Sequence, residues 1–390
     1  MSRLEELLAR GVRIPAPGSV EIGEEVVAER IAPGAVIHAG CRIFGASSSI
    51  GPGCVLGREA PATVEDCQLG EGVALKGGYF SGAVFLDGAG VGSGGHIRPG
   101  TILEEGAEVA HSVGLKQTIF FPFVVGGSLI NFCDALMAGG RSRREHSEIG
   151  SSFVHFNFTP QGDKATASLI GDVPRGVMLD QAPIFLGGQG GIVGPVRVEY
   201  GTVQPAGLIL RKDVVAEGKL VVPRSPHPDI RTYGAGYRSV SRILRNCAVY
   251  LGNIAALQVW YELARGPIMT RTAHGAACWE GARTQLAVVR AERLKQMQRV
   301  VDQVLAEGQV GVPEALQAER DALAKSWPAT RERLVAAGDA ACAEKDVFLA
   351  AWNGAKEEGY LERIRGLTPE AKAAGTAWLQ KIVNDAGLPV

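Results

Sequence analysis

A parallel β-helix built from hexapeptide repeats, followed by an α-helical domain, is the architecture this 390-residue sequence predicts. Three observations carry the prediction. An aliphatic residue returns about every sixth position through the first half of the chain: Ile31, Ile37, Ile43, Ile50 and Leu56, then Leu69 and Leu75, Val91, Ile97, Leu103 and Val109, and later Ile192 and Val198. Thirty-eight of the 52 glycines precede residue 226, whereas all five tryptophans follow it. Beyond that break the apolar residues return at the three-to-four spacing of amphipathic helices.

In chain order, residues 1–11 read as a short N-terminal helix and 12–222 as the β-helix. In a hexapeptide coil one aliphatic side chain points into a narrow prism and small residues turn the corners. A single coil cannot bury its own core, so the coils must stack. IAPGAV, IHAGCR and IGPGCV show the pattern of an aliphatic followed by Gly or Pro corners. GGQGGIVG, at 187–194, lacks the lysine-serine of a phosphate loop and reads as tight turns or close packing. Pro223, Pro226 and Pro228 in VVPRSPHPD mark a linker over 223–235, because closely spaced prolines disfavour both helix and central strand.

Residues 236–390 read as the helical domain. Val240, Ile243, Leu244, Cys247, Leu251, Ile254 and Leu257 form one stripe, and Leu286, Val289, Leu294, Met297, Val301 and Val304 a second. Pro313 to Ala337 is a third helix, expected to be interrupted at Pro328, and Thr-Pro-Glu at 368–370 opens a fourth.

A formal charge of −1 gives no reason to expect nucleic-acid binding or electrostatic attachment to a membrane. The N-terminus lacks the apolar core of a signal peptide, and no apolar run approaches the roughly 18 residues that span a bilayer. Seven cysteines, never in a CxxC pair, suit reduced thiols in the cytoplasm.

The densest cluster of candidate site residues lies between Ile97 and Asp172. RPGTILEEGAEV from Arg98, then LKQ, GGSL and DA, and after a gap IGSS, FNF, DKAT and LIGD, resemble the acetyltransferase domain of the bacterial bifunctional N-acetylglucosamine-1-phosphate uridyltransferase and glucosamine-1-phosphate acetyltransferase. The resemblance covers residues 97–214 and implies the left-handed form of the β-helix. No counterpart of the uridyltransferase half precedes it, so that activity does not carry over. The resemblance implies acetyl-CoA or another acyl-CoA as cofactor, bound along Gly187 to Lys212. It also implies a homotrimer that takes a sugar phosphate or nucleotide sugar between adjacent prisms.

Residue by residue, Arg98 and Lys116 match basic side chains that hold the sugar phosphate, Asn157 an asparagine that contacts the sugar, and Lys164 a lysine beside the same site. The family's general base is a histidine directly after a glycine, and here the pair reads Gly127-Ser128. Two family tyrosines are replaced by Asn131 and Phe158. A serine hydroxyl cannot deprotonate an amine or alcohol unaided. Two replacement bases are available. His155 lies two residues before Asn157, which in an extended segment puts both on one face. His146 lies in an insertion, LMAGGRSRREHSE, whose Arg141 and Arg144 are candidates for binding phosphate from a loop reaching over the site. His38, His96, His111, His146 and His155 do not reproduce the ligand spacing of the zinc carbonic anhydrases of this fold, so no metal is expected. Two functions remain open: an acyl-CoA-dependent acyltransferase acting on a sugar phosphate or nucleotide sugar, or a non-catalytic sugar-nucleotide-binding or scaffold protein that has lost the base.

Overall fold

Short strands separated by glycine and proline corners can hydrogen-bond only to the equivalent strands of the coils above and below, and that is the arrangement found. The computed structural model describes residues 2–159, 162–222, 237, 239–306, 314–339 and 341–387. The expected linker at 223–235 lies outside the described residues. Helix Arg3–Ala9 precedes the first coil, closed by a capping box between Ser2 and Glu5.

Among the described residues the strands form two parallel sheets, of nine and sixteen strands. The nine-stranded sheet, from Val36–Ile37 to Val203–Gln204, is one face of a triangular prism. The larger sheet folds into two faces along a corner. Gly114–Phe120 and Asn131–Met137 cross that corner, bending at Gln117 and Asp134, which take the left-handed φ values of 53° and 60°. The second face therefore runs from Glu21–Ile22 through Gly95–Ile97 to Ile209–Leu210, and the third from Ser49–Ile50 through Thr101–Leu103 to Arg197–Val198. This is a left-handed parallel β-helix followed by a helical domain.

The hexapeptide aliphatics line the interior. Ile37, Leu56, Leu75, Val91 and Val109 stack inside the first face, and Ile43, Val64, Phe80, Ile97 and Leu115 inside the second. All are at most 5% exposed. Stacking equivalent side chains at the strand spacing of about 4.8 Å makes one continuous apolar column per face.

The outward rows differ between faces, and that difference decides where the helices dock. On the third face the outward row reads Val84, Ile102, Ile119, Leu136 and Leu169, apolar and buried. A parallel sheet apolar on both sides needs a cover. Helix Ala273–Ala306 lies on it against the strands containing Leu69, Val84 and Ile102, and helix Ser241–Trp260 against Ser168–Ile170. Gly281 permits the close approach, since a Cβ there would meet Gln68 Oε1 at 2.0 Å. The polar part of the seam is built from fixed pairs. Gly100 N–H donates to Gln285 Oε1 at 2.8 Å, Val173 N–H donates to Asn253 Oδ1 at 2.8 Å, and buried Arg265 bonds Glu104 at 2.8 Å and Glu105 at 2.7 Å while stacking on Tyr360.

Helix Glu314–Ala336 continues through Pro328 instead of breaking there. Pro328 is exposed, so the hydrogen bond its ring forfeits leaves a carbonyl to solvent while Trp327 and Thr330 stay buried on the other side. Helix Pro369–Ala386 begins at the expected signal, with Thr368 Oγ1 accepting from Ala371 N–H. No helix of the described residues is long and apolar enough to cross a membrane.

Candidate functional site

The second face keeps its outer surface uncovered by the helix Ala273–Ala306, and its middle coils carry mostly polar outward residues, whereas Val154, Phe156 and Ile209 follow on the later coils. One outward row reads Tyr79, His96, Gly114 and Asn131; the next, two residues on, reads Ser81, Arg98, Lys116 and Cys133. The interior residues Ile97, Leu115 and Phe132 separate the two rows, because side chains alternate along each strand. Gly114 is the gap in the first row. A Cβ there would meet only Asn131 Oδ1, at 3.8 Å, so its missing side chain leaves a bare floor between His96 and Asn131. The result is an open depression of about 420 Å³, lined by His96, Arg98, Gly114, Ile130 and Asn131 on one side and by Ser112 and Leu129 at its edge.

Arg98 lines this depression, and Lys116 follows two residues after Gly114 on the neighbouring strand. Burial and the neighbouring Asp134 carboxylate push the Cys133 thiol up, against the positive charges of Arg98, Lys116 and Lys164, which favour its thiolate. Arg98 Nη2 lies 3.6 Å from Cys133 Sγ, and Cys133 Sγ 3.6 Å from Asn131 Oδ1. Among the described residues neither Arg98, Lys116 nor Lys164 forms an ion pair with a carboxylate. Cations without an ion-pair partner among the described residues, close enough to act on one thiol, are what a phosphate group requires.

Asn157 stands at the corner beyond Phe156, and the helical domain holds it there. Asn157 Nδ2 donates to Asp134 Oδ2 at 2.9 Å. Asp134 is itself paired with Arg293 of helix Ala273–Ala306, Nη2 to Oδ1, at 3.0 Å, both side chains being 4% exposed. A second guanidinium nitrogen, Arg293 Nη1, donates to the Lys164 carbonyl at 2.9 Å. Asp163, next to Lys164, is held by Tyr237, whose hydroxyl donates to Asp163 Oδ2 at 2.5 Å, and by Thr159, whose hydroxyl donates to the same oxygen at 2.7 Å. One buried arginine from the C-terminal domain therefore sets both Asn157 and Lys164. Sequence reasoning missed it, although Arg293 falls on the buried stripe of Leu286, Val289, Met297 and Val300.

The two histidines proposed as bases do not join this group. His155 points into the prism, stacked between Phe132 and Ile192, and is 2% exposed. It does not share a face with Asn157, because the strand ends at Phe156 and Asn157 belongs to the corner. Its Nε2 is 2.7 Å from Ser168 Oγ. Burial lowers its pKa to about 4, so it is a neutral core residue. The sequence did carry the signal, since six residues after the interior Ile149 comes His155.

The insertion with His146 leaves at a different corner, between the third and first faces. Arg141 is bound to Glu145 at 2.5 Å and to the Asp180 carbonyl at 2.9 Å, and Arg143 to the Gly106 carbonyl at 2.7 Å and to Glu108. His146 Nδ1–H donates to the Arg143 carbonyl at 2.9 Å, and Arg144 is exposed on the same loop. Within one chain, Arg141, Arg144 and His146 therefore lie away from Arg98 and Lys116, with Arg141, Arg143 and His146 bonded to the loop itself and to the prism.

Ser128, at the position where the resemblance expects the base, has a partner of another kind. Its Oγ lies 2.9 Å from Nδ1 of His111, which is 17 residues and one coil earlier. The expected close packing of the glycine run also holds, since a Cβ on Gly187 would meet Ala206 N at 2.3 Å.

Arg98, Lys116 and Asn131 thus share the outer surface of the second face, and Asn157 stands at its corner. The solenoid is homologous to bifunctional GlmU proteins. The chain is 28% identical over 225 residues to the bifunctional protein GlmU of Oleidesulfovibrio alaskensis, covering 57% of this chain and 44% of that protein. It is 29% identical over 222 residues to GlmU of Pelobacter propionicus (57% and 43%) and 28% identical over 227 residues to that of Kineococcus radiotolerans (58% and 41%). The chain thus spans less than half the length of these GlmU relatives. No family model matches it.

Replacing His155 gives a stability prediction. Its pKa is depressed from 6.5 to about 4, so the neutral form is favoured in the fold. The stability it confers is complete above pH 6.5 and is lost as pH falls towards 4, amounting to about 2 kcal/mol at pH 5. In His155→Leu the loss of stability between pH 7 and 5, measured by urea denaturation, is expected to shrink by about that amount. Ser168 Oγ keeps the Val196 N–H, at 3.1 Å, as a partner.

Proposed function

We propose that this chain is an acyl-CoA-dependent acyltransferase acting on a sugar phosphate or nucleotide sugar, most simply with acetyl-CoA as donor. The observation that carries the reading is the depression on the second face lined by Arg98 and Asn131, with Lys116 on the neighbouring strand, Lys164 acting on the same Cys133, and Asn157 at the corner held by Asp134. In this reading Arg98, Lys116 and Lys164 take the phosphate. Asn131 and Asn157 orient the sugar, whose hydroxyls need both donors and acceptors, and an amide supplies both. Homology to the GlmU proteins supports the same ligand class. The protein would work in the cytoplasm as a homotrimer, with the uncovered second face next to a neighbouring prism and acyl-CoA along the later coils from Gly187 to Lys212.

A second reading, a sugar-nucleotide-binding or scaffold protein without turnover, is favoured by one observation, serine at the position of the family's base. Ligand-induced shifts of the unfolding temperature separate the two. UDP-N-acetylglucosamine and acetyl-CoA are both expected to raise it. Stabilisation by the sugar nucleotide and none by acetyl-CoA at millimolar concentration would leave only the binding reading. Gly114→Val, which fills the floor of the depression with a residue suited to a strand, is expected to abolish the sugar response while leaving the ligand-free unfolding temperature nearly unchanged.

A further inference from the structure

We infer that His111 and Ser128 together replace the family's missing histidine, Ser128 as the group that meets the acceptor and His111 as the proton acceptor behind it. The inference rests on the acyltransferase reading above and names the residues that would perform its proton transfer.

The pair is fixed by the corner it occupies. His111 and Ser128 each precede a residue in the left-handed conformation, Ser112 (φ 56°) and Leu129 (φ 60°), so successive coils turn from the first face to the second in the same way. Equivalent corner residues therefore stack directly above one another. Main-chain bonds lock the stack: Leu129 N–H donates to the His111 carbonyl at 3.0 Å, and Ser152 N–H to the Ser128 carbonyl at 2.8 Å. Ser128 N–H also donates to Ser151 Oγ, at 3.2 Å. With its backbone held from both neighbouring coils, Ser128 presents its hydroxyl to His111 Nδ1 at 2.9 Å. For Nδ1 to accept that proton, the imidazole's own proton must sit on Nε2.

Two recesses meet at this corner. On the second-face side is the depression that contains Arg98 and Asn131, with Ser112 and Leu129 on its edge. On the first-face side is a recess of about 400 Å³ lined by Lys76, Gly92, Glu108, Gly126 and His111 itself. A hydroxyl–imidazole pair on the ridge between an acceptor recess and a second recess is placed for transfer between two bound molecules.

The acceptor's amine or hydroxyl attacks the thioester carbonyl and passes its proton to Ser128 Oγ, while Ser128 passes its own proton to His111 Nδ1. Collapse of the tetrahedral intermediate breaks the C–S bond. The leaving thiolate takes the proton back from His111 through Ser128, giving the acylated acceptor and free CoA with both side chains restored. Imidazole is the side-chain type most often used to accept a proton in catalysis, and the serine lends it reach instead of basicity.

The test is turnover by the full-length chain, with acetyl-CoA as donor and glucosamine 1-phosphate and UDP-linked amino sugars as acceptors, read as release of free CoA thiol. His111→Gln and Ser128→Ala are each expected to lower kcat at least a hundredfold while the acceptor KM changes less than about threefold. Adding Ser128→His to His111→Gln, which puts an imidazole directly where the hydroxyl was, is expected to restore at least a tenth of wild-type kcat. A purely structural role for His111 would not be rescued in that way. Wild-type kcat in either single variant overturns the inference. So does a wild-type protein that binds UDP-N-acetylglucosamine but releases no CoA with any of these acceptors, an outcome that leaves the sugar site standing and removes only the catalytic role of the pair.

Discussion

Arg293→Leu is expected to cost about 3–5 kcal/mol of stability and to abolish sugar-nucleotide binding, although Arg293 lies in the helical domain and is almost completely buried. The reason is what it leaves behind. Asp134, 3% exposed, loses the cation paired with it, and the Lys164 carbonyl loses the Arg293 donor. An unpaired buried carboxylate is far costlier than a missing salt bridge, so removing the charge as well should recover much of the loss. Asp134→Asn tolerates the left-handed φ of 60° and keeps an oxygen for Asn157 Nδ2. The double variant Arg293→Leu/Asp134→Asn should therefore regain more than half of the lost stability in urea denaturation. It should still bind sugar nucleotide weakly, because Lys164 stays unanchored. Equal stability of the single and double variants would show that Asp134 is not the group Arg293 serves.

Arg98→Gln combined with Lys116→Gln is expected to have the second large effect, on binding alone. Both side chains are half-buried, on neighbouring strands of the second face, with no carboxylate partner among the described residues. Their removal strands nothing and should change stability by less than about 1 kcal/mol. Each charge-assisted hydrogen bond to a phosphate contributes about 2 kcal/mol, so affinity for a sugar phosphate should fall roughly a thousandfold for the pair. The single variants should each show the square root of that loss, and the wild-type affinity should decline as salt is raised. Calorimetric titration of the three variants checks this. An unchanged affinity in the double variant would move the phosphate elsewhere.

The solenoid and much of its ligand surface were legible because coil geometry is periodic. The six-residue aliphatic beat names the interior residues, and strand alternation then puts Arg98 and Lys116 outside, two residues from His96 and Gly114. His155 shows the same rule neglected: its proximity to Asn157 suggested a shared face, whereas the beat from Ile149 places it in the core. The insertion could not be placed in this way, since an added loop interrupts the count and its corner is known only once Asn131–Met137 is seen to end on the third face. His111 was within reach, because three hexapeptides make a coil of about 18 residues and a partner one uninterrupted coil away lies close to that separation, as Gly114 and Asn131 also do. Arg293 was the hardest to assign. Its position on an apolar helical stripe marks it as buried and paired, but which carboxylate it meets depends on how a helix docks on a sheet, and no local spacing records that. The apolar outward row of the third face, Val84 to Leu169, is the complementary half of the docking signal, and it too becomes visible only after the faces are separated.

The claim on which the rest stands is that the second face reads a phosphate attached to a sugar. It is tested most directly by calorimetric titration of the wild-type protein with glucosamine 1-phosphate and, under the same conditions, with glucosamine. Binding of the phosphorylated sugar at least a hundredfold tighter than the free sugar is the expected result. Equal affinity for the two, or measurable binding of neither, would contradict the account.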